Sequence, residues 1–153
     1  EHCTAPIFID PVSTVKAEKL RGLLRRVHTL KPNRIEAELL SGVKITDDAT
    51  LYQAAQALLD QGVQRVFLSL GGDGVFAAQQ GETHLEPICK AEMRNATGAG
   101  DAMMASLVWS FLAGRDLAES CAAGTAAAAI AVESEETINP NMSAEAVLAR
   151  AAK

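Results

Sequence analysis

The chain has 153 residues, 48% apolar and 22% charged, with a formal charge of −5: one globular domain, long enough to bury a core. No Lys/Arg cluster exceeds Arg25-Arg26, which argues against a nucleic-acid polymer as partner, and no apolar run is long enough to span a membrane. The opening EHCT does not read as a signal peptide, and Cys3, Cys89 and Cys121 are scattered and odd in number, so free thiols in a reducing cytoplasm are expected rather than disulfides or zinc.

IFIDPV (7–12) reads as a buried strand stopped by Pro11. A strand of that kind needs neighbours on both sides, so the chain is read as a piece of a larger protein or one half of an assembly such as a homodimer. TVKAEKLRGLLRRV (14–27) carries Val15, Leu20, Leu23, Leu24 and Val27 on a helical stripe, and HTLKP (28–32) is a short strand. NRIEAELLSG (33–42) is a helix with an Asn cap and a Gly42 exit; DATLYQAAQALLDQG (48–62) is another, closed by Gly62. VQRVFLSL (63–70) is a strand broken by GGDG. VFAAQQ (75–80) and PICKAEMR (87–94) are strands about the turn Gly81-Glu82-Thr83. GDAMMASLVWSFLAG (100–114) is apolar around most of its circumference and is expected to be buried, with Trp109 in the core. Asp116-x-x-Glu119 caps the Ala-rich helix LAESCAAGTAAAAIAV (117–132), and Ser143 caps SAEAVLARAAK (143–153). Strands alternating with helices, then helices alone, predict an α/β layered domain with a mainly parallel sheet.

NATGAGDAMMA (95–105) carries the sharpest chemical signal. The first N–H groups of a helix lack internal partners and sit at the positive end of its dipole. Gly98, Ala99 and Gly100 are small enough to let an anion reach them. Asp101 beside that anion suits a base that takes the proton of a hydroxyl attacking a phosphoryl group. The alternative is a carboxylate that only caps the helix. Asn33-x-x-Glu36 likewise reads either as a capping box or as a pair organising the water shell of Mg²⁺. Ser69-Leu70-Gly71-Gly72-Asp73-Gly74 is either a simple turn or a loop passing along a nucleotide's phosphates. Asp10, at a strand's carboxyl end, reads as a turn-forming acid or as a group beside the site. His28 and His84 lack metal-spaced partners, and Met93, Met103, Met104 and Met142 read as packing.

NATGAGD, PNRIE and SLGGDG, in their order along the chain, together resemble the ribokinase-like family of sugar and nucleoside kinases, over essentially the whole chain but only the C-terminal half of such a kinase. The resemblance implies a three-layer α/β/α fold, here without its N-terminal half and small β lid. It implies an ATP-dependent transfer to a hydroxyl of a sugar or nucleoside. Asp101 becomes the catalytic base, with Gly98, Ala99 and Gly100 the anion hole. Asn33 and Glu36 act near Mg²⁺ and the triphosphate, Ser69, Gly71 and Gly74 line the nucleotide, and Thr125 borders the adenine. Asn95 and Thr97, with backbone oxygens around Ala131 to Glu136, are the candidate ligands of a monovalent cation such as K⁺. Asn95 and Ala96 stand where the family signature has Asp and Thr. Two other readings remain: GGDG resembles the loop of NAD and lipid kinases, which continue with Thr where Val75 stands, and the chain could be a nucleotide-binding module without turnover.

Overall fold

The structure is a computed structural model that describes residues 4–153, so the cysteine at position 3 lies outside the described residues. Its strands are β1 (Phe8–Ile9), β2 (Thr29–Leu30), β3 (Arg65–Ser69), β4 (Val75–Gln79) and β5 (Glu82–Glu86). Its helices are α1 (Thr14–Glu18), α2 (Arg34–Ser41), α3 (Asp48–Asp60), α4 (Ala99–Leu112), α5 (Leu117–Val132) and α6 (Ala144–Ala151). The strands form one sheet in the order β1-β2-β3-β4-β5. β1 pairs with β2 and β2 with β3 in parallel, with Ile9 opposite Leu30 and Leu30 opposite Val66. The links from β3 through β5 are too short for parallel crossovers, so the sheet is mixed and the α/β class holds.

The chain divides into two compact units, one running to Leu70 and including Phe76–Thr83, the other formed by Gly71–Val75 and His84–Lys153. In the first unit Leu30, Val66 and Leu68 are fully enclosed, with Leu58, Ala54 and Leu24 around them. Both faces of β3 are covered, as its near-continuous apolar run requires. In the second unit α4 packs along α5, and Gly124 makes the approach close: a Cβ there would lie 3.2 Å from Met103 Cγ. That is the close neighbour the Ala-rich sequence anticipates.

The segment 14–27 is not one helix. α1 ends at Glu18, Gly22 takes a left-handed φ of +79°, and a 3-10 turn follows at Leu24–Arg26. The expected stripe splits accordingly: Leu24 and Val27 are buried, whereas Val15 is 72% and Leu23 49% exposed. The strand expected at 87–94 is absent. The hairpin turns earlier, at Gln80 and Gly81, so β5 takes up Glu82 and Thr83, and Pro87 cannot extend it. The strands expected at 7–12 and 28–32 shrink to two residues each. α4 is not enclosed all round: Met103, Ser106, Leu107 and Ser110 form its buried face, while Leu112 is 77% exposed. Trp109 packs at the edge of the core beside Ala123, Ala126 and Ala127, partly exposed, with the Arg115 guanidinium 4.8 Å from its ring centre.

Candidate active site

The sequence-predicted residues fall into two groups, one in each unit, and each group has its own geometry. In the first unit the parallel register extends past β2 and β3 to a single bridge between Asn33 and Ser69. The Ser69 N–H donates to the Pro32 carbonyl at 2.9 Å, and its hydroxyl points at the same oxygen at 3.4 Å. Asn33 and Ser69 are thereby neighbours at the carboxyl ends of adjacent strands, where open α/β sheets hold ligands.

Asn33 then caps α2. Its Oδ1 accepts the Glu36 N–H at 2.9 Å, and Glu36 Oε2 accepts the Asn33 N–H at 2.9 Å, a complete capping box. The box uses only half of the Glu36 carboxylate. Oε1 is buried with no hydrogen-bond partner, on a residue 2% exposed. An orphaned carboxylate oxygen in such surroundings is costly unless a cation or water meets it. It fits a hydrated Mg²⁺, which takes few carboxylates and keeps several waters. The capping reading and the metal reading of Asn33-x-x-Glu36 are therefore compatible, because they use different oxygens.

In the second unit α4 begins after Gly98, whose φ of +88° is left-handed and whose position offers no side-chain cap. A Cβ at Gly98 would sit 2.6 Å from the Thr137 carbonyl oxygen, so glycine is required there twice over. The first intrahelical bond runs from the Ala102 N–H to the Gly98 carbonyl at 2.8 Å. The N–H groups of residues 99 to 101 precede it, at the positive end of the helix dipole. Asp101 stands in this first turn, exposed, and makes no cap hydrogen bond. The cap position belongs to Gly98, and Asp101 stands three residues inside it.

Asn95 ties this loop down. Its Nδ2 donates to the Glu135 carbonyl at 3.1 Å and its Oδ1 accepts the Thr97 N–H at 2.9 Å. Asn95 lies beside the 131–136 segment, where the Glu135 carbonyl accepts its amide and several carbonyls are engaged. The Val132 carbonyl accepts from the Arg94 and Asn95 N–H groups, and the Ile130 carbonyl accepts from Asn139.

Gly71 is exposed with φ +64°, in the 3-10 turn Gly71–Asp73, as a loop facing a ligand would be. Gly74 is buried at φ +97°, and a Cβ there would overlap the Glu86 carbonyl, which is reason enough for a glycine without any ligand. Thr125 is buried on α5; its hydroxyl donates to the Ala122 carbonyl at 3.0 Å and lies 3.8 Å from the Cys89 sulfur. Cys89 and Cys121 are free thiols, and burial, with a smaller push from the Glu86 charge, raises the Cys121 thiol to about 12. No cluster of three or more His, Cys, Asp or Glu suited to a metal exists among the described residues. His28 stacks on Phe8 with ring centres 5.3 Å apart, and His84 lies 2.7 Å from Glu86, so both are accounted for by packing and pairing.

Sequence reasoning missed Lys31. It is buried and pairs with Asp10 at 2.7 Å, while the other Asp10 oxygen accepts the Val12 N–H at 3.2 Å. Asp10 thus forms the turn and also holds a charge at the neighbouring strand end. The available signal was a lysine directly after a buried strand, where an apolar residue would be ordinary.

A glycine-shaped helix start followed by an acid in one unit, and an Asn/Glu box at strand ends in the other, each suit the class of phosphoryl-transfer proteins. Within that class the chain belongs to the pfkB family of carbohydrate kinases, whose model matches residues 1–144. It is 41% identical over 139 residues to a pseudouridine kinase of Escherichia coli, covering 90% of this chain and 44% of that protein. A Clostridium perfringens protein described as a sugar kinase superposes with a TM-score of 0.90 at 34% identity, over 96% of this chain and 46% of that one. The ribokinase of Arabidopsis thaliana, solved with ribose and ATP, superposes with a TM-score of 0.76 at 27% identity, over 84% of this chain and 42% of that one. The chain spans less than half the length of these relatives. No described helix is long and apolar enough to cross a membrane.

Proposed function

We propose that this chain is the C-terminal part of a ribokinase-like domain that transfers the γ-phosphoryl group of ATP to a hydroxyl of a sugar or nucleoside. Pseudouridine, converted to its 5′-phosphate, is the favoured acceptor. The choice rests on FIDPVST, HTLKPNRIEAELLSG, LSLGGDGV and GAGDAMMA, which look most similar to that enzyme, and on the pseudouridine kinase among the relatives. The free thiols Cys89 and Cys121 suit a reducing cytoplasm.

Asp101 accepts the proton of the attacking hydroxyl as its oxygen bonds to the γ-phosphorus, and the bond from that phosphorus to the bridging oxygen breaks to release ADP. The N–H groups of residues 98 to 100 stabilise the charge on the moving phosphoryl group. Ser69, Gly71 and Gly74 line the nucleotide and Thr125 borders its base. Asn33 and the free Oε1 of Glu36 would hold the water shell of Mg²⁺, which when bound would neutralise charge on the phosphates.

The single observation that carries this reading is Asp101: an exposed carboxylate, making no cap bond, directly after a glycine-shaped helix start. The test is ADP release with ATP and pseudouridine or ribose, beside calorimetric ATP binding. Asp101→Asn is expected to lower turnover by ~10²–10⁴-fold with ATP affinity little changed. Turnover that survives this substitution would remove Asp101 from the chemistry. Because the chain spans under half of its relatives, a second reading has support: ATP binding without any turnover marks a nucleotide-binding module.

A further inference from the structure

We propose that the Asp10–Lys31 ion pair is a positioning device for the Asn33–Glu36 box, setting how firmly that box holds a magnesium-bound triphosphate. The inference rests on the nucleotide reading above. Three observations in the first unit converge on this corner.

The pair is enclosed: Lys31 Nζ lies 2.7 Å from Asp10 Oδ2, with side-chain exposures of 7% and 23%. A buried ion pair seldom adds net stability over well-packed apolar residues of the same volume, so what it contributes is orientation. Next to it the backbone is strained. Val12 is the only non-glycine among the described residues with a left-handed φ, +66°, and it is a β-branched residue. The Ser13 N–H donates to the Pro11 carbonyl at 2.8 Å around Val12, the geometry of the rarer, strained γ-turn. Asp10 fastens this turn with one oxygen and Lys31 with the other. Strain of this kind persists only where surrounding contacts over-determine it, and it gathers at functional sites.

The third observation is where Lys31 leads. Its N–H donates to the Ile9 carbonyl at 2.9 Å, the next carbonyl, Pro32, receives Ser69, and the next N–H, Asn33, binds Glu36 Oε2. Lys31 is thus two residues upstream of the cap that aims the Glu36 carboxylate, with a rigid proline between. Asp10 and Lys31 touch neither nucleotide nor metal in this proposal; they fix the strand end from which the box is built.

The test is calorimetric titration of the chain with ATP, with and without Mg²⁺, folding being checked by circular dichroism. Lys31→Met is expected to weaken binding of Mg²⁺-ATP by ~10-fold or more, as removal of groups that orient a metal's ligands does. ATP without Mg²⁺ should bind nearly as before, and Lys31→Arg should recover most of the loss. If Lys31→Met fails to fold, the neutral double variant D10N/K31M carries the measurement. A folded double variant with unchanged Mg²⁺ dependence overturns the proposal, as does an equal loss with and without Mg²⁺. Collapse of both neutral variants beside an intact Lys31→Arg also overturns it, by showing a purely structural pair. An unmodified chain that binds no ATP in either condition removes the nucleotide reading itself.

Discussion

The two units hold their candidate groups by opposite means. In the first, a packed sheet delivers Asn33 and Ser69 to neighbouring strand ends, and the carboxylate of Glu36 is sealed in by side-chain to backbone hydrogen bonds. In the second, backbone shape is the device: a left-handed glycine, two further small residues and an Asn95 strut leave the carboxylate of Asp101 open to solvent. The difference suits the roles proposed for the two groups. A carboxylate that organises a cation's water shell works best when fixed, whereas one that takes a proton from an incoming hydroxyl must be reachable.

The strongest way to break this comparison is to loosen the sheet. Phe67, on β3 and 1% exposed, should cost about 3–5 kcal/mol on replacement by Ala, read from urea or thermal unfolding. A small loss would mean that packing does not deliver the first group. Next, Gly98→Ala meets both the left-handed backbone and the Thr137 carbonyl, at a cost on the order of 2 kcal/mol or more. Gly100→Ala, exposed within α4 and free of a positive φ, should be neutral or stabilise by up to about 1 kcal/mol. Equal effects in denaturation experiments would refute backbone shape as the device.

A matched pair sharpens the contrast at smaller scale. Asn33→Ala removes half of a capping box and should cost about 1 kcal/mol. Asp101→Asn removes no hydrogen bond of the fold and should cost only about 0.3–1 kcal/mol through the helix dipole, with its main effect on turnover. Melting curves beside ADP release separate the two.

At neutral pH the smallest effect is a pH dependence confined to the second unit, which grows only in alkali. The folded Cys121 thiol is raised from 9.0 to about 12, so the unfolded chain ionises first as pH climbs. Stability from this group is complete below pH 9 and is lost as pH rises toward 12, on the order of 1 kcal/mol by pH 10. Cys121→Ala should flatten that slope in melts between pH 8 and pH 10. At pH 8 a thiol reagent should modify the partly exposed Cys89 well before Cys121.

Much of the local structure was legible. Asn33, Asp116 and Ser143 cap the helices they were expected to cap, and Gly42 ends α2 in a left-handed conformation. The helix expected at 14–27 and the strand expected at 87–94 failed where one residue outweighed the apolar pattern: Gly22 broke the first, and Pro87 closed the second. At the site, residue type identified Asp101 and Glu36, but each carried two readings. The cap position at Gly98 and the unpartnered Oε1 of Glu36 leave room for the second reading of each, and both depend on how the chain is folded around these residues.

By itself the sequence determined the helix caps, the apolar strands and the run of small residues before an acid. These depend on hydrogen bonds and steric room within about one turn of helix, which neighbouring residues settle among themselves. Only the tertiary structure decided that Asp10 reaches Lys31, that Thr137 closes over Gly98 and that Asn33 meets Ser69. Those contacts join residues far apart along the chain, and burial and register, not local preference, bring them together.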